Sequence, residues 1–181
     1  MMVSRQITPE LFARAAKVKL MIFDVDGVLT DGSLHYGAEG EALKTFNVHD
    51  GLGIKLLQEA GIQTAIISAR KSPQVVKRAA DLGIDHLHQG GHDKLTPFMA
   101  LLEKTGLTAE EIGFIGDDIV DLPLLTRVGL AVGVPNGRPD VISHAHHVTT
   151  ASGGRGAVRE VCELLLHAQG KYAQVMAQFL V

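Results

Sequence analysis

The stretch Lys19-Leu20-Met21-Ile22-Phe23-Asp24-Val25-Asp26-Gly27-Val28-Leu29-Thr30 constrains this chain more than any other, because an unbroken apolar run stops abruptly at two carboxylates spaced two residues apart. Apolar residues without polar alternation predict a strand buried on both faces. In open parallel sheets, ligands sit just beyond the carboxyl ends of such strands, which is where both acids fall. One carboxylate could then attack a phosphorus atom while the other handles a proton and a cation screens their repulsion. A calcium loop would need a ligand at its fifth position and glycine at its sixth. Val28 and Leu29 stand there, so that reading fails.

The rest of the chain alternates strand and helix signals. Thr8-Pro9-Glu10 predicts a capped helix to about Ala16, and the first strand covers Lys19 to Asp24. Leu34-His35-Tyr36 and Ala42-Leu43-Lys44-Thr45-Phe46 flank Gly37-Ala38-Glu39-Gly40-Glu41, predicting a hairpin with that loop. Helices are expected over Asp50 to Ala60, from Ser72-Pro73 to Gly83, over Asp93 to Thr105, Val120 to Arg127 and Arg155 to Ala168, with a tail to Val181. Strands are expected over Ile62 to Ser68, His86 to His88, Ile112 to Asp117, Leu130 to Val134 and His147 to Thr150. Thr108-Ala109-Glu110-Glu111 has capping-box spacing but leads at once into a strand, so a single turn is expected there. The pattern predicts one α/β domain over residues 1–181, a three-layer Rossmann-like parallel sheet with a projecting β-hairpin.

Composition narrows the function. A chain of 181 residues, 46% hydrophobic, has material for one domain with a sizeable core. A net charge of −3 and scattered pairs of cations (Lys17 and Lys19, Arg70 and Lys71, Lys77 and Arg78) provide no basic field, so no nucleic-acid partner is expected. Cys162 is the only cysteine and falls in a helical apolar pattern, which predicts a buried thiol rather than a nucleophile. With no leader-like apolar stretch and no run near 18 apolar residues, the expectation is no membrane and a cytoplasmic location.

Five polar features fall at predicted strand ends, and parallel strands would bring them to one rim. Asp24 and Asp26 come first. Ser68 could donate to a phosphate oxygen, although alone it reads as a helix-entry residue. Lys94 could neutralise a phosphoryl oxygen and the nucleophile, although alone it reads as solvated surface. Asp117 and Asp118, with Asp121 a turn later, repel one another unless a cation lies between them; a helix N-terminus would account for one or two of these acids.

In this order, Asp24 to Thr30, Ser68, Lys94 and Gly116-Asp117-Asp118-Ile119-Val120-Asp121 resemble the four signature motifs of the haloacid dehalogenase-like phosphotransferases. More narrowly, Asp31-Gly32, the hairpin, Phe46 to Gly51, His88-Gln89-Gly90 and Gly153 to Cys162 resemble the 3-deoxy-D-manno-octulosonate 8-phosphate phosphatases, over about residue 18 to Lys171. One departure is Ala69 in Ser68-Ala69-Arg70, where that family carries glycine.

The resemblance implies Mg²⁺-dependent hydrolysis of a small-molecule sugar-acid phosphate in lipopolysaccharide biosynthesis. It implies Asp24 as the nucleophile, Asp26 as general acid and then base, and Mg²⁺ held by Asp24, the backbone carbonyl of Asp26 and Asp117, with Asp118 and Asp121 in an outer shell. It further implies substrate contacts from Asp26, Asn47, Val48, His49, Asp50, Gly51, Lys55, Arg70, Arg78 and Lys94. Relatives often insert a cap domain after the first motif or before the third. Neither gap has room for one here, so no cap domain is expected and a neighbouring subunit would close the site. The family implies a homotetramer with hairpins at its centre and the segment around Arg155 reaching a neighbour's site. Leu34, Tyr36, Leu43 and Phe46 are the candidate contacts, packing on their own sheet being the competing explanation for each. A phosphatase for a nine-carbon ulosonate phosphate is the alternative within the enzyme reading. A receiver-type signalling domain ranks low, because its phosphorylated Asp would follow the third strand.

Overall fold

The computed structural model describes residues 7–180. The first six residues, on which part of the leader expectation rests, and Val181 at the end of the expected tail lie outside the described residues. In chain order the strands are β1 (Leu20–Phe23), β2 (His35–Gly37), β3 (Gly40–Leu43), β4 (Gln63–Ser68), β5 (His86–Gln89), β6 (Ile112–Gly116), β7 (Leu130–Gly133) and β8 (His147–Val148). The helices are α1 (Pro9–Ala16), α2 (Val48–Glu59), α3 (Pro73–Leu82), α4 (Leu95–Thr105), α5 (Leu122–Leu125), α6 (Pro139–His144), α7 (Ala157–Ala168) and α8 (Tyr172–Ala177). Six strands form one parallel sheet in the order β5-β4-β1-β6-β7-β8, while β2 and β3 pair only with each other.

The unbroken apolar run of β1 is buried on both faces, as its composition requires. Met21 and Phe23 belong to a core shared with Leu11, Ile54, Leu57, Val75 and Val161 of α1, α2, α3 and α7. Leu20 and Ile22 belong to the opposite core, with Phe98, Leu101, Leu125 and Val141 of α4, α5 and α6. The alternation of side chains along a strand thus divides β1 between two apolar layers and makes the fold three-layered. Both neighbours pair with β1 along its whole length, Phe23 opposite Ile66 of β4 and Ile115 of β6, and β6 runs one residue and β4 two residues beyond it, to Gly116 and Ser68. The expected α/β architecture stands, with a small antiparallel hairpin separate from the main sheet. Among the described residues no helix is long and apolar enough to cross a membrane.

Several local expectations shift. The hairpin loop is two residues, Ala38 and Glu39, because Gly37 pairs with Gly40; the expected five-residue loop is mostly strand. α2 begins at Val48 rather than Asp50 because the Asn47 side chain accepts from the N–H groups of His49 and Asp50 and caps the helix earlier. Ser72 stands at the start of α3, yet its hydroxyl donates to Gln74 Oε1 and caps nothing. The segment expected to be one helix from Val120 to Arg127 is a 3₁₀ turn, Ile119–Asp121, followed by the short α5. α6 and α8 fall where no helix was expected, and Arg138-Pro139 shows the proline-at-first-position signal for α6. Of the four hairpin-side hydrophobics, Leu34, Tyr36 and Leu43 are exposed, whereas Phe46 turns inward against the core beneath the Arg78 guanidinium, 5.6 Å from its ring centroid.

The longest helix contact, α2 on α7, contains a buried acid. Asp50 Oδ1 accepts from the backbone N–H of Arg159 at 2.8 Å, so its carboxylate serves the first turns of α7. Burial pushes its pKa up, opposed by the amides of Arg159, Gly156 and Val158. Removing that acceptor strands a buried N–H, so Asp50→Ala is expected to lower the unfolding free energy by about 1–3 kcal/mol. The check is a shift in the denaturant midpoint at unchanged slope; an unshifted midpoint would contradict the structural role.

Candidate active site

Because all six strands are parallel, β1, β4 and β6 deliver their exits to one rim, with the loop after β5 beside them. Asp24 leaves β1 with its amide donating to Ile115 O at 3.1 Å, which keeps it level with the end of β6. Lys94, one residue before α4, is 1% exposed. Its Nζ lies 2.6 Å from Asp24 Oδ1 and 2.5 Å from Asp121 Oδ1. Solvated surface is therefore excluded as its role. Asp121 Oδ2 in turn accepts from the N–H groups of Asp117 at 2.9 Å and Asp118 at 3.2 Å. Asp121 packs so closely on Gly116 that a Cβ there would sit 2.5 Å from its Oδ2.

Carboxylate oxygens of Asp24, Asp117 and Asp121 lie within 4.8 Å of one another. Both oxygens of Asp121 are occupied by donors, which leaves Asp24 and Asp117 with ligand capacity. Asp118 faces outward, its Oδ1 accepting from Ile119 N–H. Burial, and after it the neighbouring charges of Asp24, Asp121 and Asp118, raise the Asp117 carboxyl to about 8. Burial likewise raises Asp24 to about 7, against the pull of Lys94 and with a push from Asp121. Burial lowers the Lys94 ammonium, yet Asp24 and Asp121 together carry it above its usual range. A cluster of hard oxygen donors that resists ionisation by itself fits a small divalent cation. Gly27 adjoins this position in a left-handed conformation (φ +86°), and a Cβ there would be 2.1 Å from Asp117 Oδ2.

Asp26 points elsewhere. Its carboxylate meets Lys44 of the hairpin and Arg70 after β4, at 2.5 and 3.6 Å. Ser68 ends β4 and is buried. Asn47 Nδ2 donates to Gly154 O at 3.4 Å, tying the start of α2 to the loop before α7. Val48 and His49 are exposed on the first turn of α2, and Lys55 is exposed two turns on. Gly51 is buried against Arg78, whose Nη2 a Cβ would approach to 2.3 Å, and which donates to Asn47 O at 3.2 Å. The Asp50 carboxylate, one of the implied substrate contacts, turns toward α7.

Three groups at the rim escape sequence reasoning. Lys44 falls in the expected second strand of the hairpin and Glu41 in its expected loop, with no pattern that marks either. Asn136 lies in a Pro-Asn-Gly turn, yet its amide donates to Gly27 O at 2.9 Å and accepts from Gly153 N–H at 2.8 Å, clamping two loops. Thr30 adds a third tie, its Oγ1 accepting from Gly32 N–H at 3.2 Å. Surface cavities of 250 and 410 Å³ lie away from these groups, between β5 and α4 and beside α1.

Comparison with known proteins points the same way. A family model described as haloacid dehalogenase-like hydrolase matches residues 84–160. The chain is 47% identical over 172 residues to the 3-deoxy-D-manno-octulosonate 8-phosphate phosphatase of Escherichia coli K12, covering 95% of this chain and 92% of that one. Among solved structures, a probable phosphatase from Pseudomonas syringae aligns with a TM-score of 0.94 at 48% identity, covering 96% of this chain and 99% of that one. The 3-deoxy-D-manno-octulosonate 8-phosphate phosphatase of Moraxella catarrhalis, solved with a magnesium ion, a phosphate ion and the octulosonate, aligns with a TM-score of 0.92 at 44% identity, covering 94% and 98%.

The raised carboxyls carry a pH prediction. Unfolded aspartates ionise near ~3.9, whereas Asp24 and Asp117 hold their protons to about 7 and about 8 in the fold. Without a cation, stability from these neutral acids is complete below the unfolded value and is lost as pH rises through the folded values. A cation binds the ionised form, so Mg²⁺ is expected to raise the melting temperature more at pH 8 than at pH 6. Asp117→Asn should abolish that Mg²⁺ response. Thermal melts in chelator and in Mg²⁺ at both pH values provide the check.

Proposed function

The chain belongs to the haloacid dehalogenase-like hydrolases and, within them, to the 3-deoxy-D-manno-octulosonate 8-phosphate phosphatases, and from that membership we propose that it hydrolyses 3-deoxy-D-manno-octulosonate 8-phosphate to the free sugar acid and inorganic phosphate in lipopolysaccharide biosynthesis. The observation that carries this reading is the buried Lys94 ammonium held between Asp24 and Asp121, with Asp117 alongside. It keeps the Asp24 carboxylate at a strand exit ready to attack, while Asp24 and Asp117 retain oxygens that would hold a metal.

In this reaction Asp24 attacks the phosphorus; a bond forms between its carboxylate oxygen and phosphorus as the ester P–O bond breaks. Asp26 gives its proton to the departing sugar oxygen. Water then attacks the aspartyl phosphate, Asp26 takes the proton, and phosphate leaves with Asp24 regenerated. Lys94 offsets the charge of Asp24 and meets a phosphoryl oxygen, and Ser68 donates to another. Mg²⁺ is the cofactor; Asp24, the Asp26 carbonyl and Asp117 would hold it, and it supplies charge neutralisation at the phosphoryl group. Arg70, Arg78, Lys55 and the Asn47–Gly51 turn select the substrate, whose carboxylate and phosphate suit guanidinium and ammonium groups.

A single domain with no cap leaves this rim open, and a homotetramer working in the cytoplasm closes it. The exposed Leu34, Tyr36 and Leu43 of the hairpin, at 44, 65 and 49%, are the surface on which subunits meet.

Two experiments test this. Across a panel of sugar phosphates, the octulosonate 8-phosphate should show the highest kcat/KM and strict Mg²⁺ dependence, and Asp24→Asn should lose about 10⁴-fold or more in kcat. Failure to hydrolyse any ulosonate phosphate would overturn the assignment. Separately, Leu34→Asp with Leu43→Lys should dissociate the oligomer and raise KM for the sugar-acid ester more than for p-nitrophenyl phosphate. Light scattering and kinetics on one sample decide it, and a wild type that is monomeric and fully active would sink the shared-site idea.

A further inference from the structure

Among the described residues, one side chain donates a hydrogen bond to the Asp26 carboxylate, and it comes from the hairpin. Lys44, just past β3, places Nζ 2.5 Å from Asp26 Oδ1 and 2.6 Å from Glu41 Oε1, with 1% of its side chain exposed. Arg70 completes the figure, Nε 3.6 Å from Asp26 Oδ2 and Nη2 3.4 Å from Glu41 Oε2. Asp26, Lys44, Glu41 and Arg70 therefore form a closed ring of alternating charge. A buried ammonium persists only when its charge is matched, and Lys44 has two carboxylates, one of them three residues back on its own strand. The hairpin is itself pinned, with Gln74 Nε2 donating to Ala42 O at 3.2 Å and Arg70 Nη2 donating to Tyr36 Oη at 3.3 Å.

We propose that Lys44 is a positioning residue of this reaction: it aims the Asp26 carboxyl at the oxygen that leaves phosphorus, and Glu41 holds it in place. The inference rests on the phosphatase reading above. Proton transfer needs the acid within hydrogen-bond reach of the leaving oxygen, roughly 2.6–3.2 Å, and a misplacement of about 1 Å costs on the order of 10²-fold. Arg70 is a loose restraint, 40% exposed and at 3.6 Å. Once Arg70 engages the carboxylate of the substrate, Lys44 alone still fixes Asp26. Lys44 transfers no proton. As Asp24 bonds to phosphorus and the ester bond breaks, the proton passes to the alkoxide from Asp26 Oδ2, the oxygen that Lys44 leaves free and that carries the proton once Arg70 turns to the substrate.

The leaving group separates aiming from general structural support. A sugar alkoxide needs the proton, whereas p-nitrophenolate departs without one. Lys44→Met is expected to lower kcat/KM by about 10²-fold for the octulosonate 8-phosphate and by several-fold at most for p-nitrophenyl phosphate. Glycerol 3-phosphate, an alkyl ester without a carboxylate, should lose as much as the sugar acid, which separates lost aim from lost substrate contacts. Equal losses on all three esters, or no loss on the alkyl esters, would overturn the role. Wild type and Asp24→Asn run alongside. An inactive wild type or an active Asp24→Asn would refute the phosphatase reading itself, whereas an unselective Lys44→Met beside normal controls refutes only the role of Lys44. If circular dichroism shows Lys44→Met unfolded, Glu41→Gln carries the test, since it keeps the ammonium and removes one anchor. The same selectivity with a smaller loss supports the proposal, and its absence overturns it.

Discussion

The buried ammonium of Lys94 is the interaction on which the rest of the site depends. Asp24, Asp117 and Asp121 crowd within 4.8 Å, and without a cation their mutual repulsion and desolvation would favour protonation or a different loop. Lys94 joins β1 to the loop after β6 by touching Asp24 and Asp121 at once. Asp121 then passes the constraint on, because its second oxygen collects the amides of Asp117 and Asp118 and so sets the direction of that loop. A lysine from the β5 side, an acid from β1 and three acids after β6 therefore behave as one unit. Breaking any member leaves an uncompensated charge in a place with almost no solvent, a far larger cost than losing a surface ion pair.

That unit is reachable only because the sheet is parallel and its central strands are paired in a fixed register. Phe23 pairs with both Ile66 and Ile115, so a shift of one residue in β6 would separate Asp24 from Asp117, and a shift in either strand would turn each side chain into the other apolar layer. The two cores flanking β1 enforce the register through Met21 and Phe23 on one side and Leu20 and Ile22 on the other. Loop geometry beyond the strands is then fixed by polar ties. Asn136 bridges Gly27 and Gly153, and Thr30 folds its hydroxyl back on the turn that begins at Gly27.

Legibility in the sequence followed the physics of each signal. The apolar run ending at Asp24 and Asp26 was readable because burial on both faces leaves no polar alternation, and the acids after β6 were readable because their crowding needs a cation. Lys94 was ambiguous alone and became meaningful only through its order among the motifs, since a lysine before a helix looks the same whether solvated or buried. Lys44 and Glu41 were not readable. Their significance comes from a hairpin folding back over a loop 18 residues earlier, a contact with no local periodicity. Asp50 shows the opposite limit, because a motif position implied a substrate contact while its carboxylate serves the start of α7. α6 and α8, six residues each, are too short to display a helical period, although Pro139 marked the start of the first.

Two carboxylates two residues apart end in different electrostatic surroundings, and this follows from which elements reach each one. Asp24 faces inward to a cluster in which three acids share one ammonium, an imbalance that a metal ion would relieve. Asp26 faces the hairpin, where two acids and two cations alternate and balance, so its carboxylate is oriented without being committed to a metal through its side chain. Nucleophilic attack and proton transfer require different settings of the same functional group, and chemically identical side chains are separated in role by their surroundings. Here the separation comes from the rim of the sheet on one side and, on the other, a hairpin of two short strands, β2 (His35–Gly37) and β3 (Gly40–Leu43). The hairpin side, with Glu41 on β3 and Lys44 just past it, therefore supplies two of the charges that make the surroundings of Asp26 unlike those of Asp24.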